Sequence, residues 1–107
     1  MKSIEYGKWS RTPEEASALA QATEYLEEVL EASAGQVEAK WERDVDSKLR
    51  PMYRLTISDQ TDKATASFSL DELSWTHLLK SKLYVLWGKI LQARNEKLLK
   101  EALATPV

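Results

Sequence analysis

The chain has 107 residues and a mass of 12.2 kDa, with 43% hydrophobic and 30% charged residues and a formal net charge of -2 from 15 basic and 17 acidic groups. That size and composition exclude a disordered, collagen-like or rod-shaped chain and predict a single domain over residues 1–107 with its own core. With no cysteine there is no disulfide framework, thiolate nucleophile or Cys-type zinc site, and no stretch approaches the roughly 18 apolar residues of a membrane span, so the expectation is a soluble cytoplasmic protein without a membrane partner. The start, Met1-Lys2-Ser3-Ile4-Glu5-Tyr6, also lacks the apolar core of a signal peptide.

Ile4 and Tyr6, with Trp9 beside them, read as a short N-terminal edge strand. Thr12-Pro13-Glu14-Glu15 then starts a helix: Thr is a natural N-cap, Pro occupies a first-turn position that needs no N–H, and Glu15 can reach back to the cap amide. Ala16, Leu19, Ala22, Leu26, Val29 and Leu30 recur at three and four, and Gly35 supplies a left-handed cap, which predicts a helix from about 13 to 34. Its charged residues are Glu14, Glu15, Glu24, Glu27, Glu28 and Glu31, with no Lys or Arg.

The period then changes from 3.6 to 2. Val37, Ala39, Trp41 and Val45 alternate with polar residues, Arg43 being the exception on the apolar side; Tyr53, Leu55 and Ile57, and then Ala64, Ala66 and Phe68, repeat the pattern after the turns at 46–48 and 59–63. Short connections make an antiparallel three-stranded meander. Ser69-Leu70-Asp71-Glu72 is a capping box, with Phe68 and Leu73 placed as a hydrophobic staple, and opens a last helix over 70–104. Leu79, Leu83, Tyr84, Leu86, Trp87, Ile90 and Leu91 form its predicted core stripe. A helix of that length, on the order of 50 Å, must overhang a globule of this size or kink, with Gly88 as the weak point.

The expected fold is therefore α+β: a two-layer sandwich in the order (β)-α-β-β-β-α, an antiparallel three-stranded meander with an N-terminal edge strand and two helices on one face.

Catalytic chemistry is poorly supplied. The one imidazole, His77, sits one turn into the last helix with no fixed partner; there is no Gly-x-Ser-x-Gly or His-Glu-x-x-His, and Gly7, Gly35 and Gly88 are too scattered for a phosphate loop. Asp59 and Asp62 offer too few oxygens for a calcium loop. The sequence thus predicts no catalytic residue, metal site or cofactor. Helix, meander, helix resembles in topology the double-stranded-RNA-binding domain, which implies a basic cluster opening the second helix and a groove-reading loop after the first strand. Here that helix opens Leu70-Asp71-Glu72 and the loop reads Asp46-Ser47-Lys48-Leu49-Arg50-Pro51, so nucleic acid is not the expected partner.

The charge layout points elsewhere. Between Thr76 and Lys100 lie Lys80, Lys82, Lys89, Arg94, Lys97 and Lys100 against Glu96 alone, complementing the acidic first helix within the chain or across subunits. Leu78, Val85, Gln92 and Leu99 repeat every seven residues, as do Ser81, Gly88, Asn95 and Ala102, and Leu98, Leu99, Ala102 and Leu103 form a patch off the core stripe. Leu78, Val85, Leu98, Leu99, Ala102 and Leu103 are therefore the expected interface of a non-enzymatic interaction or adaptor module, a homodimer or the binder of a protein partner. Arg43 and Arg94, both on otherwise apolar faces, support the alternative of an anionic-ligand or enzymatic pocket between sheet and helices, or else salt bridges to a helix-one Glu. Trp9, Trp75, Tyr6 and Tyr84 are candidates to border such a pocket or meet a partner.

Overall fold

The computed structural model of the chain describes residues 1–104. Four strands, β1 (Ser3–Tyr6), β2 (Glu38–Val45), β3 (Pro51–Ser58) and β4 (Lys63–Phe68), form one sheet in the order β1-β2-β3-β4. The meander β2-β3-β4 is antiparallel, whereas β1 runs parallel to β2, pairing Ser3 with Glu38 and Tyr6 with Trp41. A parallel neighbour requires a long crossover, which helix α1 (Pro13–Leu30) supplies. The fold is the α+β sandwich the sequence implies, with a mixed sheet.

The capping box at Thr12 forms in full: Glu15 N–H donates to Thr12 Oγ1 at 3.1 Å and Thr12 N–H to Glu15 Oε1 at 3.0 Å. The other end of α1 departs from expectation. Glu31, at φ 52, takes the left-handed position expected of Gly35, and Glu31–Gln36 continues as a tighter 3-10 turn. After Leu30 the run Glu31-Ala32-Ser33-Ala34 has no large apolar side chain to hold another α-turn against the sheet.

Ser69 and Glu72 also form their box, but the helix it opens, α2 (Leu70–Ser74), lasts little more than one turn. The chain breaks at Trp75 and restarts as α3 (Thr76–Ala104), which then runs unbroken through Gly88. The break replaces the kink expected at Gly88. It lets Leu73 of α2 and Leu79 and Leu83 of α3 all reach the core, which one straight helix in this register does not do.

Both layers meet in one apolar cluster of Leu19, Leu26, Trp41, Leu55, Phe68 and Leu83, all without exposed surface. Within it the Trp41 indole N–H donates to Thr23 Oγ1 at 3.1 Å and the Thr23 hydroxyl donates to the Leu19 carbonyl at 2.8 Å, so both of these buried polar groups are satisfied. The other sheet face is wet: Arg54 bridges Glu42 at 3.2 Å and Asp44 at 3.6 Å, and Thr56 and Thr65 share a hydrogen bond. Val45, expected in the core, is exposed where β2 runs out from under the helices.

The charged helices do meet within the chain, through Lys80 and Glu28 at 3.5 Å, with the Lys80 ammonium also 4.7 Å from the Tyr25 ring centre. Beyond Ile90 no residue of α3 is fully buried. At 1.5 Å per residue α3 is roughly 43 Å long, and it stretches the molecule to 57 × 30 × 27 Å. Its last ten described residues, 95–104, are all exposed.

Candidate interaction surface and buried polar clusters

Each residue of a helix turns by about 100°, so positions seven apart fall nearly on one line. Leu79, Leu83, Leu86, Trp87 and Ile90 face the core. Tyr84, Leu91 and Leu98 line up about a third of a turn away, and Tyr84 and Leu98 are 60% and 63% exposed. Tyr84 and Leu91 thus leave the core stripe to which their hydrophobicity assigned them. Restarting at Thr76, α3 presents a narrower face to the sheet, and these two fall outside it. The heptad spacing of 84, 91 and 98 was the sequence signal for this second row. Beside it runs the row Gly88, Asn95 and Ala102, and then Val85, Gln92 and Leu99. None of these nine side chains is charged.

Of the expected interface residues, Leu78 is half-buried, whereas Val85, Leu98, Leu99, Ala102 and Leu103 are exposed. Val85 also borders a groove of about 330 Å³ between β4 and α3, lined by Thr65, Ala66 and Ser67 on one side and Ser81, Lys82, Leu86 and Lys89 on the other.

Arg43 and Arg94 are not brought together. Arg43 Nε lies 3.3 Å from Glu15 Oε2, at the level of Tyr53. Arg94 grips Asp59, six residues further along the chain of β3 and so on the order of 20 Å away. Each guanidinium has its own carboxylate partner: the helix-one salt bridge forms for Arg43, while Arg94 uses the β3–β4 turn instead. The aromatic candidates are also dispersed. Trp9 packs against the core, Tyr6 lies beneath the Arg11 guanidinium at 3.8 Å, Trp75 is exposed at the helix break, and Tyr84 lies on the outer row of α3.

The two carboxylates that hold these arginines are the most elaborate polar features of the fold. Glu15, buried in the first turn of α1, accepts from the Thr12 amide and the Tyr53 hydroxyl and forms an ion pair with Arg43. Those donors, the Thr12 amide foremost, hold its pKa below 4.5 against the opposing effect of burial. Burial and the adjacent carboxylate push the Tyr53 phenol up to about 12. A carboxylate held ionised beside a phenol held protonated is a fixed hydrogen bond, poorly suited to moving protons near neutral pH. Asp59 is equally saturated: Oδ1 accepts from the Thr61 and Asp62 amides at 2.7 and 3.0 Å, and Oδ2 accepts from Arg94 Nε at 2.7 Å and lies 2.6 Å from Nη2. Burial works to raise its pKa, and these donors outweigh it. At Glu72 burial is likewise outweighed, by Lys82 at 2.9 Å and by Ser69.

These three depressed carboxylates contribute to the acid limb of stability. Each contributes stability that is complete above its unfolded value, 4.5 for Glu15 and Glu72 and 3.8 for Asp59, and is lost as pH falls through the lower folded value. Urea midpoints should fall steadily as pH drops below about 4.5, and the fall should be shallower in Glu15→Gln. An equal slope in that variant would remove Glu15 from the account.

Among the described residues no three or more His, Cys, Asp or Glu side chains gather as a metal site, and no helix is long and apolar enough to cross a membrane. No protein-family model matches the chain, and no curated protein matches it. The geometry of the molecule is the basis for a functional reading.

Proposed function

We propose that the protein is a non-enzymatic, cytoplasmic interaction module, acting as a single domain, that self-associates through the outer face of α3. The observation that carries this reading is the row Tyr84, Leu91 and Leu98, exposed along a helix that outruns its own globule. Burying one such leucine is worth about 1.5 to 3 kcal/mol. The 3.5-residue repeat suits a second helix, Gly88 and Ala102 allow close approach, and Asn95 is a polar residue of the kind that fixes register in such seams. A second copy fits better than a charged partner because the three rows carry no charge, so identical surfaces meet without repulsion.

Light scattering with sedimentation tests this. The wild-type chain is expected to sediment as a dimer, and Leu91→Ser/Leu98→Ser as a monomer of unchanged fold. Gly88→Leu is the sharper variant, since a Cβ there meets nothing within 4 Å in the monomer yet obstructs a closely packed partner helix. A wild-type monomer at high protein concentration, or a Gly88→Leu dimer as tight as wild type, would rule the reading out.

The separation of Arg43 and Arg94 removes the geometric support for one anion pocket shared between them. The Asp71-Glu72 opening of α2 gives RNA phosphates no basic cluster to meet.

A further inference from the structure

Independently of association through α3, we infer that the open edge of β4 captures an extended acidic segment of another protein, which adds to the sheet as a fifth strand in the groove beside α3. The backbone supplies the first argument. Asp59 N–H donates to the Asp62 carbonyl at 3.0 Å across the β3–β4 turn, which sets the alternation of the ladder that follows. Pairs 57–64, 55–66 and 53–68 then exchange the ladder bonds, and Lys63, Thr65 and Ser67 turn their N–H and C=O groups outward. The Ser67 carbonyl confirms the direction, because Lys82 Nζ of α3 reaches it at 2.5 Å. The outward groups of Thr65 have no such partner among the described residues, and the interior of the strand, Ala64-Thr65-Ala66-Ser67, has no Pro or charge to discourage pairing.

The second argument is the wall beside the edge. Side chains of an added strand alternate across the sheet, and those on the helix side enter the space of about 330 Å³ over Ala66, Val85 and Leu86. A strand satisfies both features at once: its backbone pairs with Thr65 and its alternate side chains fill the groove. A helix leaves the edge groups of Thr65 unpaired.

Charge selects the occupant. Of the two lysines at the rim, Lys82 is answered by Glu72 at 2.9 Å, whereas Lys89 makes no ion pair among the described residues. An incoming strand with a carboxylate near Lys89 completes the site. A second copy of β4 does not, since it brings Lys63, with Lys82 and Lys89 behind it, towards their own counterparts.

The test uses the full chain, immobilised, with a displayed library of random octapeptides as probe. Retained peptides are expected to alternate apolar and polar residues and to be enriched in Asp and Glu. Binding of a synthetic consensus peptide should slow hydrogen exchange at the Thr65 amide and weaken about fivefold in Lys89→Gln, as removal of one exposed charge pair implies. Lys89→Glu should invert the charge preference. Thr65→Pro, which removes an outward donor while leaving the β3–β4 ladder bonds, should abolish retention with the fold intact. Leu91→Ser/Leu98→Ser should still bind, so loss of self-association and loss of strand capture are separable. Peptides that bind Thr65→Pro equally well, a retained set with no acidic bias, or unchanged Thr65 exchange would each overturn the inference.

Discussion

Glu15→Ala is expected to lower the unfolding free energy by about 3 kcal/mol, a large fraction of what a domain of this size possesses. The loss is not chiefly that of the Arg43 salt bridge, because that guanidinium is substantially exposed and such pairs contribute about 0 to 1 kcal/mol. It comes from the donors left behind. The Thr12 amide loses half of a capping box, and the buried Tyr53 hydroxyl loses its acceptor with no water-facing alternative. An orphaned buried donor costs about 1 to 3 kcal/mol, and a lost cap contact typically about 1. The mechanism has a signature that a simple loss of packing lacks. Tyr53→Phe removes the hydroxyl, and in its presence Glu15→Ala should cost clearly less than in wild type, since one orphan no longer exists. A double-mutant cycle by urea denaturation measures that coupling, expected at about 1 to 2 kcal/mol; strict additivity would show that the two groups do not act as a unit.

Glu15 also illustrates how far the sequence reaches. Its spacing from Thr12 announced the capping box, and both capping boxes form as the residues imply, because a cap is decided within four residues of chain. The strands were legible for a similar local reason: one face of the sheet is buried and the other wet, so Trp41, Tyr53, Leu55 and Ile57 alternate cleanly. What the sequence did not disclose depends on distance. Glu15 meets Tyr53 across 38 positions and Arg94 meets Asp59 across 35, and no local pattern encodes those meetings. The rotation of α3 was hidden in the same way. Tyr84 and Leu91 belong by hydrophobicity to one broad stripe with Leu83 and Ile90, and only the break at Trp75, which fixes how α3 seats on the sheet, divides that stripe into a core face and an outer row.

Asp59→Ala should be of comparable severity, costing about 2 to 4 kcal/mol, but its consequences should be unevenly distributed. The carboxylate performs two tasks with separate oxygens. Oδ1 closes the β3–β4 turn through the Thr61 and Asp62 amides, and Oδ2 holds Arg94. Arg94 lies four residues beyond Ile90, the last fully buried residue of α3, so this ion pair ties the helix to the β3–β4 turn just past the end of its buried face. Asp59→Asn separates the tasks: it can keep the oxygen that accepts the two amides while losing the charge that attracts Arg94, and should cost about half as much. Hydrogen exchange is the informative measurement. In both variants amides from Leu91 onward should lose protection relative to Thr76–Ile90, whereas α1 should change little in Asp59→Asn. Uniform loss of protection along α3 would show that the helix opens as one unit and that Asp59 is no local clamp. If the clamp is local, Asp59→Asn should also weaken dimerisation, because Leu98 and Ala102 lie on the segment it releases and a loosened helix must be reordered before its outer row can pack against a partner.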